Sequence, residues 1–317
     1  MKQFDHSRTG EEIIQGHELS NKRIVITGAS SGLGAETARL LAGAGAELVL
    51  AVRDAAAGEE VAQRISAEAG RKPQVLSLDL GNLASVRKFA ASLGNAPVNV
   101  LVNNAGVMAT PYGRTVDGFE TQMGVNHFGH FLLTQLLMPC LLNGAPSRVV
   151  SLSSSGHIWS GVDFDDIHFE RRVYNPWIAY GQSKTANILF AVEMTRRYAK
   201  HGLIANAVMP GRILGTALRR YTTDKTYELS PAMGATQPTV EAPVNNQPKT
   251  LGQGVATTIW AVVDPRFETE GGYYLEDCGI ALPWSAANPR RGVKDHAVDS
   301  GAAERLWTVS EVEVAHG

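Results

Sequence analysis

The sequence predicts an α/β fold in one domain, residues 1–317: a doubly wound parallel sheet of seven strands with helices on both faces. Two observations carry that prediction. Short apolar runs alternate with helix-length segments, and several runs are continuous rather than alternating, as in strands covered on both sides. Between the first run and an alanine-rich segment lies a glycine-rich break, which predicts a strand, a tight turn and a helix whose N-terminus faces an anion.

The strands are expected at Arg23 to Thr27, Glu47 to Val52, Gln74 to Leu78, Val98 to Val102, Arg148 to Leu152, Ala205 to Met209 and Tyr273 to Leu275. Helices are expected at Gly34 to Ala44, Ala55 to Glu68, Leu83 to Leu93, Phe119 to Leu142, Tyr180 to Lys200 and Gly252 to Val263. Gly202 supplies a stop just past the cationic last turn of the fifth. The Thr- and Pro-rich segment from Ala217 to Lys249 is too irregular for one continuous helix; long loops of this kind often carry binding function, and surface disorder is the plain alternative. From Trp284 onward, an Asn/Pro/Arg-rich extension crosses the surface before a short helix around Ala302 to Val309.

Composition excludes several classes. A chain with 44% hydrophobic residues can bury a substantial core, and a formal charge of −2 gives no global attraction to nucleic acid or to an anionic membrane. Cys140 and Cys278 form no C-x-x-C motif and no zinc-spaced cluster, which points to reduced thiols, a cytoplasmic location and no metal. The first twelve residues contain no apolar signal segment, and no run reaches membrane-spanning length.

Two motifs carry chemistry. Gly28, Gly32 and Gly34 follow a G-x-x-x-G-x-G spacing, distinct from both the G-x-G-x-x-G dinucleotide fingerprint and the nucleotide-triphosphate P-loop. Ordinary turn chemistry would also place glycines there. Tyr180 and Lys184 stand four apart on the fifth helix, so the ammonium and the phenol share a face and can address one substrate oxygen. Taken alone, that pair is equally an exposed Tyr and a solvated Lys.

The run Thr27-Gly28-Ala29-Ser30-Ser31-Gly32-Leu33-Gly34 is followed, in order, by Asp79-Leu80, Asn103-Asn104-Ala105-Gly106, Asn126, Ser154, Tyr180, Lys184 and Pro210-Gly211. In this order and at these intervals the chain resembles the short-chain dehydrogenase/reductase family, in its shorter single-domain branch with a Rossmann-type sheet. The stretch Gly-Val-Asn-His-Phe-Gly-His-Phe-Leu-Leu-Thr and the motif Tyr180-Gly-Gln-Ser-Lys184-Thr-Ala-Asn are most like retinol dehydrogenases and the WW-domain oxidoreductase.

The resemblance implies a nicotinamide cofactor held by Gly28, Ser30, Ser31, Gly32, Leu33 and Gly34, with Asp79 and Leu80 beside the adenine. Asn103, Ala105 and Gly106 form the next cofactor turn, and Pro210, Gly211, Ile213 and Thr216 approach the nicotinamide and diphosphate. Asp79 and Asn103 also read as ordinary caps or turn formers. Arg212 is unusual in its place. Tyr180 would be the general acid and base, Ser154 would bind the substrate oxygen, and Lys184 would lower the phenol pKa and hold the ribose. Asn126 would hold a water linked to Lys184. Ser153 is the runner-up to Ser154. His127 and His130 lack further ligands at metal spacing and read as packing or surface residues. The long interval before Tyr180, with Asp163 to Arg172, suggests an added helix or flap that restricts a dimer surface or roofs the pocket.

Arg53 follows the second strand at the point where an acidic residue would accept the ribose hydroxyls of NAD. A guanidinium there suits the 2′-phosphate of NADP, and a solvated arginine offset by Asp54 is the plain alternative. The expectation is therefore an NADP(H)-dependent oxidoreductase, monomer or homodimer, that interconverts carbonyl and alcohol on an apolar substrate of the retinoid, steroid or aromatic ketone class. An NADP-binding regulatory protein that keeps the fold and lacks turnover is the alternative.

Overall fold

The computed structural model describes residues 5–213, 216–230 and 247–316. Residues 231–246 of the segment Ala217 to Lys249, which the family resemblance makes a variable substrate lid, lie outside the described residues, together with Leu214 and Gly215. The strands are β1 (Arg23–Thr27), β2 (Glu47–Val52), β3 (Gln74–Ser77), β4 (Val100–Asn103), β5 (Ser147–Leu152), β6 (Leu203–Met209), β7 (Tyr274–Glu276) and β8 (Gly279–Ile280). Their order across the sheet is β3-β2-β1-β4-β5-β6-β7-β8. The first seven are parallel, as the sequence predicts, and β8 adds an antiparallel edge after a turn at Asp277 and Cys278. Two residues are too few to show any period, so β8 leaves no mark in the sequence.

Alternation along the strands explains the unbroken apolar runs. Ile24, Ile26, Leu48 and Leu50 face one layer, whereas Val25, Val49, Leu101 and Val149 face the other, and all are buried. The first layer holds the helices α1 (Gly10–Ile14), α2 (Gly32–Gly43), α3 (Ala55–Ala69) and α10 (Leu251–Val263). The second holds α4 (Leu83–Leu93), α6 (Gly129–Leu136), α8 (Pro176–Tyr198) and α11 (Ser300–His316). Both faces of every central strand are therefore dry, and a polar residue is tolerated there only with a partner.

The expected helix from Phe119 to Leu142 is broken into pieces. After the short α5 (Thr121–Met123), a π turn spans Gly124–Phe128, α6 follows, and α7 (Met138–Asn143) begins beyond a break at Leu137. Pro139 explains that last break, because it has no N–H to continue the ladder. The π turn carries Asn126, and such wide turns concentrate at functional sites. The helix bearing Tyr180 also starts earlier than expected. Asn175 caps it by accepting from the amides of Trp177 (2.9 Å) and Ile178 (3.2 Å), with Pro176 at the first turn.

The segment Asp163 to Arg172 forms neither a helix nor a roof over a pocket. It is a chain of turns: the Asp163 carboxylate accepts from the amides of Asp165 and Asp166, and the Asp166 carboxylate accepts from those of Glu170, Arg171 and Arg172. Ile167 packs into the second layer beside α11. The terminal helix is longer than expected and seals that layer. Trp307 is 2% exposed, stacks on Phe190 at 6.0 Å between centroids and meets Phe131 edge-on at 5.1 Å. His127 and His130 are packing residues, as expected: His127 Nε2 lies 2.7 Å from Ser310 Oγ, and burial pushes the pKa values of His127 and His130 down to about 3 and about 4.

Trp307→Ala should therefore open a large void between α6, α8 and α11. Chemical denaturation should show a loss of about 3–5 kcal/mol, and a loss below about 1 kcal/mol would mean that α11 is only loosely applied.

Candidate active site

Strand order reverses between β1 and β4, and there, beyond the carboxyl ends of the strands, opens a cleft of about 1220 Å³. Its floor is the glycine-rich turn. Gly28 and Gly32 adopt positive φ (67° and 53°), and a Cβ on Gly34 would lie 2.4 Å from Gly28 O, so α2 sits against the end of β1 as only glycine permits. Ser31 occupies the N-cap of α2 yet makes no side-chain cap bond, which leaves its hydroxyl toward the cleft. Ser30, Leu33, Ala105 and Gly106 complete this floor. Thr27, absent from the expected site, holds the turn in place: its Oγ1 accepts from the amides of Asn104 (2.9 Å) and Ala105 (3.0 Å).

One expected contact moves by a residue. Asn103 turns into the core and donates from Nδ2 to Thr134 Oγ1 at 3.3 Å, away from the cleft. Asn104 lines the cleft instead, and its Nδ2 donates to Thr27 O at 2.7 Å. At the far end, Arg53 is exposed, lines the cleft and makes no ion pair among the described residues. The neighbouring Asp54 does not offset it by pairing; its carboxylate caps α3 by accepting from Ala57 N at 3.1 Å. Asp79 and Leu80 also line this end, and one Asp79 oxygen is used on Gly81 N at 2.9 Å.

The opposite wall holds the expected catalytic groups. Ser154 follows β5 and caps a 3₁₀ turn, Ser155–Trp159, its Oγ accepting from Gly156 N at 3.0 Å. Its hydroxyl also faces the Tyr180 phenol. Ser153 drops out, because its hydroxyl donates to Lys184 O at 2.8 Å. Lys184 is 4% exposed and donates from Nζ to Leu152 O at 3.0 Å. Asn126 lies beneath the wall rather than on it. Its amide bonds reciprocally to Val107, at 2.8 and 2.9 Å, and donates to Ser183 Oγ at 2.9 Å. Only Gly106 separates it from Lys184: a Cβ there would lie 3.1 Å from Asn126 Oδ1 and 3.5 Å from Lys184 Nζ.

Burial dominates the electrostatics of this wall. It pushes the Tyr180 phenol up to about 12, against a smaller lowering by Ser154, and it pushes Lys184 down to about 7. The expected depression of the phenol by Lys184 is therefore not what this arrangement produces. The ammonium lies 5.7 Å from the phenol ring centroid and points at a strand carbonyl, so desolvation outweighs its attraction.

Pro210, Gly211, Ile213 and Thr216 border the cleft as expected, and so does Arg212. Beyond them, both described ends of the lid segment, Ala217 to Ser230 and Gln247 to Lys249, contribute to its rim. Sequence reasoning missed the aromatic part of the wall. Trp159 and Trp177 meet edge-on at 5.6 Å, and Trp284 enters from the C-terminal extension. Lone tryptophans carry no periodic signal, and only the fold gathers them.

A profile of the short chain dehydrogenase family matches residues 22–164. Retinol dehydrogenase 12 of Mus musculus is 39% identical over 92% of this chain and 86% of its own. The chain belongs to the short-chain dehydrogenase/reductase family. Among solved structures, an uncharacterized protein from Mycobacterium Paratuberculosis matches with a TM-score of 0.73 and 35% identity, covering 96% of this chain and 97% of its own. RhlG of Pseudomonas aeruginosa, solved as an NADP active-site complex, matches with a TM-score of 0.63 and 25% identity, over 82% and 95%. Membership makes the chain an oxidoreductase of a family that uses nicotinamide cofactors. The residues of the cleft fit such a group: the turn needs glycine at Gly34, the Ser31 hydroxyl is unused by its helix, and Arg53 at the far end has no ion pair among the described residues.

The depressed Lys184 sets a pH dependence of stability. Between about 7 and 10.5 the native lysine is neutral while the unfolded one is protonated, so unfolding takes up a proton and stability rises with pH across that window. Lys184→Met should melt higher than the parent at pH 7, and the gap should shrink toward pH 10. A lower melting temperature at both pH values would show that the Nζ bond to Leu152 outweighs the burial.

Proposed function

We propose that this oxidoreductase uses NADP(H) to interconvert a carbonyl and an alcohol on an apolar substrate, of the retinoid, steroid or aromatic ketone class, in the cytoplasm. The observation that carries this reading is the convergence of the Tyr180 phenol and the Ser154 hydroxyl on one cleft wall, over the buried Lys184. When bound, the nicotinamide supplies or accepts the hydride.

The chain's own groups move the proton. In the reductive direction Tyr180 Oη gives its proton to the substrate oxygen, and in the oxidative direction it takes that proton back, with Ser154 Oγ hydrogen-bonded to the same oxygen. A phenol held near 12 keeps its proton at neutral pH, so the acid form is populated and the phenolate base is scarce. Alcohol oxidation is accordingly favoured by alkaline pH and carbonyl reduction by neutral pH. The tryptophan-lined mouth supports an apolar, ring-bearing substrate, and the exposed Arg53 at the far end of the cleft supports the 2′-phosphate.

A broad carbonyl panel run with NADPH and NADH tests the reading; cofactor binding without turnover on any member would favour a regulatory protein instead. Within it, Tyr180→Phe should keep the fold and cofactor binding yet lower turnover by at least about a hundredfold, since general acid–base catalysis contributes on that scale. Near-normal rates would remove the phenol from the mechanism. Arg53→Ala should weaken NADPH about tenfold or more while leaving NADH nearly unchanged, as loss of one charge-assisted contact predicts. Equal losses for both cofactors would contradict the assignment.

A further inference from the structure

The serine turn has a second attachment, on the side away from the glycine-rich floor. His157 is fully buried in the 3₁₀ turn, its Nδ1 2.7 Å from Ser154 O and its Nε2 3.3 Å from the backbone N of Lys294. A carbonyl only accepts and a backbone N–H only donates, so the ring must carry its proton on Nδ1 and present a bare Nε2. The other tautomer fails at both ends, and the imidazolium sets an N–H against an N–H. The backbone carbonyl of His157 is held too, by His296 Nε2 at 2.9 Å and Thr185 Oγ1 at 3.3 Å. Lys294 and His296 thus grip one residue at its ring and at its main chain. They end a strap, residues 284–298, whose earlier residues Trp284, Pro289, Arg290 and Arg291 form part of the cleft rim.

We propose that His157 is a positioning residue that joins this strap to the Ser154 turn, so that seating the strap and holding the substrate-binding hydroxyl are a single event. The proposal rests on reading Ser154 as the group that binds the substrate oxygen. Substrate pressed against the strap then steadies the serine through one imidazole. The ring is kept neutral by its surroundings. Burial, with Lys294 and His296 beside it, pushes its pKa down to about 4, and the Ser154 carbonyl opposes them. Tyr274 of β7 packs on the ring at 4.7 Å between centroids, and Tyr180 of α8 packs on the adjoining Gly156. Native His157 therefore stays neutral where an unfolded histidine takes up a proton, and the attachment weakens as pH falls from about 6.5 toward 4.

Two variants separate the two ends of the ring. His157→Asn keeps a donor at the Nδ1 position and loses the acceptor for Lys294; His157→Phe loses both. Hydrogen exchange on the full chain with NADPH bound should show the Lys294 amide deprotected in both variants. The Gly156 amide, which donates to Ser154 Oγ, should lose protection only in the Phe variant. On the panel carbonyl turned over fastest, the Asn variant should raise KM about tenfold with kcat within about twofold, and the Phe variant should also lower kcat about tenfold. Unchanged exchange at Lys294, or a Phe variant with Gly156 protection or kcat intact, overturns the proposal. If the variants fail to fold, ¹⁵N NMR of the parent imidazole decides at pH 7. The Nδ1–H neutral form supports the proposal, and Nε2–H or imidazolium overturns it. Exchange and tautomer need no turnover, so a chain inactive on every carbonyl would sink the proposed reaction without deciding this attachment, which exchange then decides alone.

Discussion

The active wall depends on how α8 is fastened to the end of β5. Lys184 Nζ and Asn187 Nδ2 both donate to Leu152 O, at 3.0 and 2.9 Å, while Ser153 Oγ returns a bond to Lys184 O at 2.8 Å. All four residues are buried, where a polar group without a partner costs about 1–3 kcal/mol and each bond is electrostatically stronger than in water. The exchange runs in both directions, so neither element can slide without stranding a polar atom. Tyr180, one turn before Lys184, is placed by the same clamp, and so is Ser154, one residue past Ser153. The proximity of the two hydroxyls on one wall is a by-product of a stability requirement.

That requirement extends along the helix. α8 is buried on nearly every side, yet it carries Gln182, Ser183, Lys184, Thr185, Asn187 and Glu193 in addition to its apolar residues. Such a helix is stable only if surrounding segments bring partners to it. The π turn brings Asn126 to Ser183, and the turn-rich segment brings Ile167 O and Asp163 N to the Gln182 amide. Arg196 and Arg197, on the helix itself, clasp Glu193. The insertion before Tyr180 therefore works as a sleeve for α8; its Asp163 and Asp166 carboxylates are used on its own backbone amides, while Asp165 pairs with Arg305 and Glu170 with Arg114. This accounts for a segment rich in charge that never reaches the cleft.

The sequence made the sheet legible because its strands are dry on both faces and so read as unbroken apolar runs. The glycine turn and the Tyr180–Lys184 pair were legible for a related reason, since both need particular residue types at fixed spacing. What escaped notice was whatever depends on direction rather than type. Asn103 and Asn104 are the same residue, and only the pleat of β4 decides that the first enters the core and the second faces the cleft. The sign of the phenol shift escaped too, because spacing puts Lys184 near Tyr180 but cannot say that its ammonium points at Leu152. Two helix starts were marked and overlooked: Thr9 and Glu12 form a capping box for α1, and Asn175-Pro176 opens α8.

The mouth of the cleft rests on a different bond type. Asp277 is 2% exposed and receives Lys249 Nζ at 2.6 Å and Arg291 Nη2 at 2.8 Å, with His6 Nδ1 at 3.7 Å. Four stretches remote in sequence meet there: the N-terminal segment, the end of the lid, the β7–β8 turn and the strap. Gly211, at φ 98°, lets the Lys249 stem pass, for a Cβ would lie 2.7 Å from its Cδ. Buried ion pairs add little net stability, because desolvation offsets most of their attraction, but removing one partner leaves a bare charge and costs several kcal/mol. Such a knot is a poor glue and a strict register. It fixes where the lid re-enters and where the strap crosses. The candidate catalytic wall and the mouth are thus held by separate devices, a reciprocal hydrogen-bond clamp and an ionic knot.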